Sequence, residues 1–126
     1  MLSFFVCKND NIDILINNAG NYVYSPIAEA SYSNIENILK TNLEAPLYLI
    51  SRAVNHMKKQ QWGRVINIGS ISGVMGEANA SLYSASKAGL IGMTKALALE
   101  LAEFGITIRT VAMGKGYSKY AIMEML

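Results

Sequence analysis

The sequence predicts an α/β protein built on a doubly wound parallel sheet, and three observations support this class. Short runs rich in β-branched residues occupy positions 12–16, 64–68 and 106–111. Their apolar character is nearly continuous instead of alternating, which is typical of strands that are covered on both faces. Two longer segments with apolar residues at helical spacing, 33–59 and 82–104, lie between these runs. Strand, helix, strand, helix, strand is the order of a doubly wound sheet.

Both helical segments carry signals for their ends or interruptions. Pro46 lies inside segment 33–59, where a proline has no N–H to donate, so we expect a kink or a break there. Segment 82–104 stops before Gly105, the residue type that most often follows a helix C-terminus. This second segment is apolar nearly all round. We therefore expect it to be covered on two sides, by the sheet and by either a neighbouring helix or a second subunit.

The handedness of the connections predicts where the two long helices lie. Parallel crossovers are right-handed in about 98% of cases, so strands that neighbour each other in chain order place both helices on one face. The opposite face of this three-stranded sheet would then expose apolar side chains, and the run at 12–16 would form a free edge. By itself, such a chain is expected to be aggregated, oligomeric or molten, and not a stable monomer.

Composition excludes several functional classes. A chain of 126 residues suits one domain, 1–126, and its net charge of +2, without clustered Lys and Arg, argues against a nucleic-acid partner. No unbroken apolar run reaches the ~18 residues of a membrane span, and the start lacks the charged region of a signal peptide. The single cysteine, Cys7, excludes an intrachain disulfide and a cysteine-based zinc site. We expect a cytoplasmic chain with neither membrane attachment nor a metal.

The start of the second helical segment carries the pattern with the clearest chemistry. Tyr83 and Lys87 stand four residues apart in Tyr-Ser-Ala-Ser-Lys, and such positions share one face of a helix. A phenol with an ordinary pKa of about 10 is a poor acid or base at neutral pH, but a nearby cation favours the phenolate. The pair therefore predicts a general acid/base at Tyr83. A solvated helix face is the alternative for an isolated Tyr-x-x-x-Lys pattern.

Polar residues elsewhere fall where such a site would need them. Ser70 directly follows the strand run at 64–68 and its glycine, and an Asn-Asn-Ala-Gly motif at 17–20 closes the first run. Open α/β sheets bind their ligands at the carboxyl ends of the strands. Asn42 stands in the middle of a helical segment, where asparagine is a weak helix former. Each has a structural alternative: a helix or turn cap for Ser70, a side chain that bonds to the backbone of a neighbouring strand for Asn42, and satisfied turn amides for the motif.

The sequence resembles the short-chain dehydrogenase/reductase family in the order and spacing of four features. These are the Asn-Asn-Ala-Gly motif, the helix asparagine, the serine and the Tyr-x-x-x-Lys pair. The segment at 83–92 is most similar to the branch that contains 3-oxoacyl-[acyl-carrier-protein] reductases. The resemblance covers about residues 11–118 and implies a partial Rossmann-like domain that binds NAD or NADP. The long apolar helices are expected to mediate a homo-oligomer.

The resemblance implies a role for each motif residue. Tyr83 would exchange a proton with the carbonyl or alcohol oxygen of a small-molecule substrate, and Ser70 would hydrogen-bond that oxygen. Lys87 would bind the nicotinamide ribose and lower the pKa of the tyrosine, so Tyr83 and Lys87 both serve the cofactor as well. Asn42 would hold a water that connects Lys87 to solvent. The residues that would line the adenosine-side ribose of the cofactor are Asn18, Ala19 and Gly20.

The sequence departs from the family pattern at both ends. The family's glycine-rich turn, which cradles the cofactor pyrophosphate, is not found before Asn17, and the residue that selects between NAD and NADP is missing with it. Ser118 stands where the family has a threonine that contacts the nicotinamide amide. We expect an oxidoreductase, with a 3-oxoacyl thioester as the leading substrate. The alternative is a truncated, non-catalytic remnant that associates at most with other subunits.

Overall fold

The computed structural model describes residues 4–8 and 11–114. Within these residues, four strands form one sheet in the order β1-β2-β3-β4. The strands are β1 (Phe4–Lys8), β2 (Asn11–Asn17), β3 (Gly63–Ser70) and β4 (Ile106–Met113). The α-helices are α1 (Tyr32–Leu39), α2 (Ala45–Gln60), α3 (Ser72–Met75) and α4 (Ser81–Leu101). β2, β3 and β4 pair in parallel, so the three predicted strands and the α/β class are confirmed.

The first strand lies outside the predicted elements. β1 runs antiparallel to β2, from Phe4 opposite Ile16 to Lys8 opposite Asn11. The expectation of a free edge along the second strand is therefore wrong, because β1 occupies that edge. The five residues of β1 are too few to span a membrane but enough to form a strand. An antiparallel strand at the edge of an otherwise parallel sheet is common.

One face of the parallel strands is packed against both long helices. Leu15, Val65 and Ile108 are neighbours across three strands, and all three are buried in the same cluster. The helix residues in that cluster come from α2 and α4 and include Ile50, Ala53, Met57 and Leu101. Full burial of one such aliphatic side chain stabilises a fold by about 1.5–3 kcal/mol, so the cluster anchors both helices to the sheet. The prediction that both helices lie on one face is confirmed.

The other face of the sheet is less apolar than the sequence predicts. Ile14 and Ile66 line a shallow depression there together with Arg64, Trp62 and Arg109. The Arg64 guanidinium lies 4.6 Å from the centre of the Trp62 ring and donates hydrogen bonds to two backbone oxygens. Two guanidinium groups thus interrupt the expected apolar surface.

The long helix α4 ends as predicted. A 3₁₀ turn, Ala102–Phe104, follows its last residue, and Gly105 comes next with a φ of 69°. This left-handed conformation favours glycine, and a Cβ at Gly105 would collide with the Gln61 carbonyl oxygen. Among the helices of the described residues, none combines the length and the apolar character needed to cross a membrane.

Candidate active site

Tyr83 and Lys87 lie in the first two turns of α4, close to the carboxyl end of β3. The Lys87 ammonium nitrogen is 5.8 Å from the centre of the Tyr83 ring. It is buried and donates a hydrogen bond of 2.8 Å to the Ile68 carbonyl oxygen. The predicted shared helix face is therefore present, and the bond to β3 fixes the lysine beside the phenol ring.

Burial sets the acidity of the lysine. Lys87 is 4% exposed, and desolvation of its charged form lowers its pKa from 10.5 to about 8. The amine is therefore still mostly protonated at pH 7, with three N–H donors, one of which bonds to Ile68. A cation in this place can hydrogen-bond a ligand and stabilise negative charge on a neighbouring oxygen.

Asn42 lies in a π-helical turn, Lys40–Glu44, that joins α1 to α2. The N–H of Ala45 donates to the Lys40 carbonyl oxygen, five residues back instead of four. Pro46 follows, and it has no N–H for the Asn42 carbonyl oxygen, which would be its acceptor in an α-helix. The predicted interruption at Pro46 is thus a wider turn of a continuous helix, and not a break.

The side chain of Asn42 connects two parts of the site. It is 1% exposed, and its Nδ2 donates to the Asn21 carbonyl oxygen at 2.8 Å and to the Ser86 hydroxyl at 3.0 Å. Its Oδ1 accepts a bond of 2.7 Å from the Asn21 N–H. The Ser86 hydroxyl in turn donates to the Tyr83 carbonyl oxygen. Asn42 therefore bonds to the backbone of the loop after β2 and not to that of a strand, and its role in holding a relay water stays a prediction.

The first part of the Asn-Asn-Ala-Gly motif serves the sheet. Asn17 Nδ2 donates a bond of 2.8 Å to Asn67 Oδ1, and Asn67 Nδ2 donates one of 2.9 Å to the Thr94 hydroxyl. These buried bonds connect β2, β3 and α4. Asn18 and Ala19 follow, and both are half-buried. Part of the motif is therefore structural, and the contact of its later residues with a cofactor stays a prediction.

Gly20 leaves a space beside the lysine. A Cβ at Gly20 would stand 3.4 Å from the Lys87 nitrogen and 3.5 Å from Asn42 Oδ1. A methyl group there would already touch both side chains, so the loop after β2 lies close to α4 at this point. The Lys87 ammonium has three N–H donors, one of which bonds to Ile68, and such a group suits a ligand with neighbouring hydroxyls. The residues present therefore fit the ribose of a nicotinamide dinucleotide.

Ser70 is positioned by the segment that follows it. Its hydroxyl oxygen accepts a bond of 3.2 Å from the Ser72 N–H, and the hydroxyl donates to the Ser72 hydroxyl at 3.3 Å. A Cβ at Gly73 would stand 2.7 Å from the Lys87 carbonyl carbon and 2.9 Å from the Ala88 nitrogen. The chain after Ser70 therefore packs directly on the turn of α4 that carries Lys87. The predicted contact from Ser118 lies outside the described residues.

The structure adds two residues that sequence reasoning does not find. The Tyr22 ring meets the Tyr83 ring edge-on, with 5.0 Å between centres and 74° between planes. The Tyr22 hydroxyl donates to Glu77, and so does the hydroxyl of Ser72. Glu77 has one signal in the sequence, since no other acidic residue lies between Ser70 and Tyr83. Tyr22 has none, because its contact depends on how the two loops meet.

Comparison with known proteins identifies the family. A family model described as short chain dehydrogenase matches residues 1–121. The chain belongs to the short-chain dehydrogenase family. The 3-oxoacyl-[acyl-carrier-protein] reductase FabG of Buchnera aphidicola subsp. Schizaphis graminum is 43% identical to this short-chain dehydrogenase over 107 residues, which are 85% of the chain and 44% of the relative. The FabG of Vibrio harveyi is 45% identical over 104 residues, 82% of the chain and 42% of the relative.

Solved structures agree with this assignment. A variant of ElxO with NADPH bound superposes with a TM-score of 0.83 at 30% identity, covering 93% of this short-chain dehydrogenase and 48% of the ElxO chain. An NAD+-bound xylitol dehydrogenase superposes with a TM-score of 0.81 at 27% identity, covering 91% and 45%. The resemblance stated from the motifs is therefore confirmed. The chain spans less than half the length of these four relatives.

Proposed function

We propose that this chain carries the catalytic centre of an NAD(P)-dependent oxidoreductase that acts on a carbonyl or an alcohol. The proposal rests on one observation: the buried Lys87 ammonium lies 5.8 Å from the centre of the Tyr83 ring, beside the space that Gly20 leaves open. A bound nicotinamide dinucleotide would supply the hydride for the reduction of a carbonyl, or accept it from an alcohol that is oxidised. The residues of the chain then have to position the substrate oxygen and move one proton.

Each predicted residue has a task in this chemistry. The Tyr83 hydroxyl donates a proton to the oxygen of a carbonyl that is reduced, and takes one from an alcohol that is oxidised. The Ser70 hydroxyl donates a hydrogen bond to the same oxygen. The N–H groups of Lys87 bind the hydroxyls of a ribose. Asn42 holds the loop that carries Gly20 against α4, and it is the proposed site of the relay water. The residues proposed to line the adenosine-side ribose are Asn18, Ala19 and Gly20.

A 3-oxoacyl thioester is the proposed substrate class. Two relatives at 43% and 45% identity are named as reductases of such acyl groups. Three exposed apolar side chains lie just after Ser70 in the chain, namely Ile71, Val74 and Met75. Apolar surface beside a reacting centre suits an acyl chain. One of the similar structures holds NADPH and another NAD+, so both cofactor forms are proposed.

The proposed partner is a second copy of the chain. Large apolar side chains are exposed on both long helices: Leu47 and Tyr48 on α2, and Leu99, which is 86% exposed, on α4. Pairing of two copies through these helices would remove that apolar surface from water. We place the protein in the cytoplasm, and the presence of a single cysteine, Cys7, supports this.

The test is the oxidation of NADPH and of NADH, followed by absorbance, by a protein in which this chain is preceded by a segment that carries the family's glycine-rich turn. A short 3-oxoacyl thioester and a simple ketone serve as substrates, and the Tyr83→Phe variant is the control. We expect substrate-dependent oxidation of one or both cofactors that the variant abolishes. Turnover with neither cofactor would contradict the oxidoreductase and favour the non-catalytic remnant that associates with other subunits.

A further inference from the structure

One acidic residue, Glu77, is connected to both the serine and the tyrosine of the site. Its Oε2 accepts a hydrogen bond of 2.8 Å from the hydroxyl of Ser72, the residue bonded to Ser70. Its Oε1 accepts one of 3.2 Å from the hydroxyl of Tyr22, the residue that meets Tyr83. We infer that Glu77 is a positioning residue that fixes the catalytic pair from both sides. This inference rests on the proposed function.

On the serine side, Glu77 sets the direction of the hydrogen bonds. A carboxylate only accepts, so the Ser72 hydroxyl must give its proton to Glu77. The Ser72 oxygen is then left to accept from Ser70, while the Ser72 N–H donates to the Ser70 oxygen. Ser70 therefore has a fixed oxygen, and its one proton is directed at the Ser72 oxygen. That proton has to turn from Ser72 to a carbonyl oxygen when a substrate binds.

On the tyrosine side, Glu77 holds the ring that packs on Tyr83. The two rings meet edge-on, an arrangement that aromatic pairs prefer. Because Tyr22 is 51% exposed, packing covers only part of its ring, and the hydrogen bond of its hydroxyl helps to hold the ring in place. The bond from that hydroxyl to Glu77 holds Tyr22 on the side of the site where Tyr83 lies. A phenol that transfers a proton gains from such a fixed neighbour, because its oxygen has to meet the substrate in one orientation.

The segment that carries Glu77 is itself held at several points. The Glu77 N–H donates a bond of 3.2 Å to the hydroxyl of Ser84 in the first turn of α4. Asn79 Nδ2 donates a bond of 2.9 Å to the Tyr24 hydroxyl, and the Ser25 N–H donates one of 2.7 Å to the Asn79 carbonyl oxygen. The loop before α4 and the loop after β2 are thus bonded together. The backbone at Glu77 is therefore held in place, as a residue that positions other side chains requires.

The first test compares the turnover of Glu77→Ala and Glu77→Gln with that of Glu100→Gln. Glu100 is exposed and lies seventeen residues beyond Tyr83 on the same helix, about 25 Å along its axis. We expect kcat to fall about tenfold or more in Glu77→Ala while KM changes less than about twofold, because misplacement of catalytic groups slows the chemical step. Glu77→Gln keeps one acceptor oxygen and should recover part of the loss. Adding Ser72→Ala to Glu77→Ala should lower kcat little further, whereas adding Glu77→Ala to Ser72→Ala should lower it again, because the contact with Tyr22 is lost only with Glu77.

The second test needs neither cofactor nor substrate. The ring resonances of Tyr83 are followed by NMR in protein labelled with ¹³C-tyrosine, and Tyr83→Phe identifies them. Glu77→Ala should move them, because the Tyr22 ring changes its position, whereas Glu100→Gln should leave them unchanged. If Glu77→Ala does not fold, Glu77→Gln carries both tests, and Ser72→Ala carries the kinetic test alone. Unchanged resonances together with unchanged kcat would overturn the inference about Glu77 but not the proposed function. A parent protein without turnover would contradict the proposed function, and the NMR test would then decide on Glu77.

Discussion

At the scale of single residues, Lys87 illustrates how a functional group costs stability. Its pKa of about 8 in the folded chain lies below the ordinary value of 10.5, because burial disfavours the charged form. Between these two values the unfolded chain binds more protons than the folded one, so the free energy of unfolding rises with pH. Below pH 8 the full penalty is present, on the order of 3 kcal/mol for a shift of this size.

Lys87→Met should therefore stabilise the fold while it impairs the site. We expect the free energy of unfolding at pH 7 to rise by less than the full penalty, because the hydrogen bond to the Ile68 carbonyl oxygen is lost, and its increase between pH 8 and pH 10.5 to flatten. Urea denaturation across this pH range measures both effects. Lys95→Met, at an exposed position of the same helix, is the control and should keep the parent's pH dependence. A Lys87→Met variant with the parent's pH dependence would contradict the burial of a charged amine.

Tyr83→Phe isolates the proton-transferring oxygen. The change keeps the ring that meets Tyr22 and removes only the hydroxyl. We expect turnover to fall by about 10²–10⁴-fold, the usual contribution of general acid–base catalysis, with the unfolding temperature nearly unchanged. Tyr48→Phe, at an exposed position on α2, provides the comparison. Turnover within about twofold of the parent would show that Tyr83 is not the acid.

The sequence predicts the residues of the site better than their connections. The proximity of Tyr83 and Lys87 could be predicted, because their spacing alone places them on one helix face. The place of Ser70 at the end of β3 could also be predicted, and the roles of all three residues stay predictions. Glu77 and Tyr22 could not be connected, since they lie fifty-five residues apart and meet only when two loops fold together.

At the scale of elements, the site depends on how closely the chain after β3 approaches α4. Gly73 permits that approach, because its backbone lies against the backbone of α4 with no room for a Cβ. Gly92 in α4 differs from Gly73, because nothing lies within 4 Å of its Cβ position. Substitution at Gly73 tests the need for close approach of two backbones. Substitution at Gly92 tests the general effect of glycine on a helix.

Gly73→Ala and Gly92→Ala should change stability in opposite directions. In Gly73→Ala the new Cβ would meet main-chain atoms that cannot turn away, so we expect a loss of about 1–3 kcal/mol and slower turnover. In Gly92→Ala the helix gains about 1 kcal/mol, because alanine favours helix over glycine and nothing obstructs the methyl group. Chemical denaturation of both variants measures the difference. Equal stability of the two variants would contradict the close packing at Gly73.

Elements with a strong periodic pattern could be predicted, and those without one could not. The three parallel strands and α4 have apolar runs long enough to identify them. Pro46 predicts that the helical hydrogen bonds are interrupted, but a missing N–H is compatible with a kink, a break or a π-helical turn. β1 is five residues long, and its partner strand determines its place more than its own sequence does.

At the scale of the whole molecule, two surfaces predict association. One is formed by the exposed apolar residues of α2 and α4, and the other is the sheet face that Ile14 and Ile66 line. The arginines on that sheet face reduce its apolar area below what the sequence predicts. The helix surface is therefore the stronger candidate for contact between two copies.

The isolated chain should not behave as a compact monomer. Size-exclusion chromatography with light scattering should show dimers, larger species or a molten state, because so much apolar surface faces water. Leu99→Glu should shift the distribution towards smaller species if α4 mediates the contact, whereas Glu103→Gln should leave it unchanged. A monodisperse species of 13.7 kDa with a cooperative thermal transition would show that the prediction is wrong.

The antiparallel pairing of β1 with β2 has a consequence for the order in which the chain folds. Two residues separate these strands, whereas Asn17 and Asn67, paired between β2 and β3, lie fifty residues apart. A hairpin forms within about 1–10 μs, and parallel pairing over long separations is much slower. We therefore expect β1 to pair with β2 before β3 does, although a two-stranded hairpin is only marginally stable until β3 joins it. Early pairing of the short strand would leave β3 the opposite edge of β2.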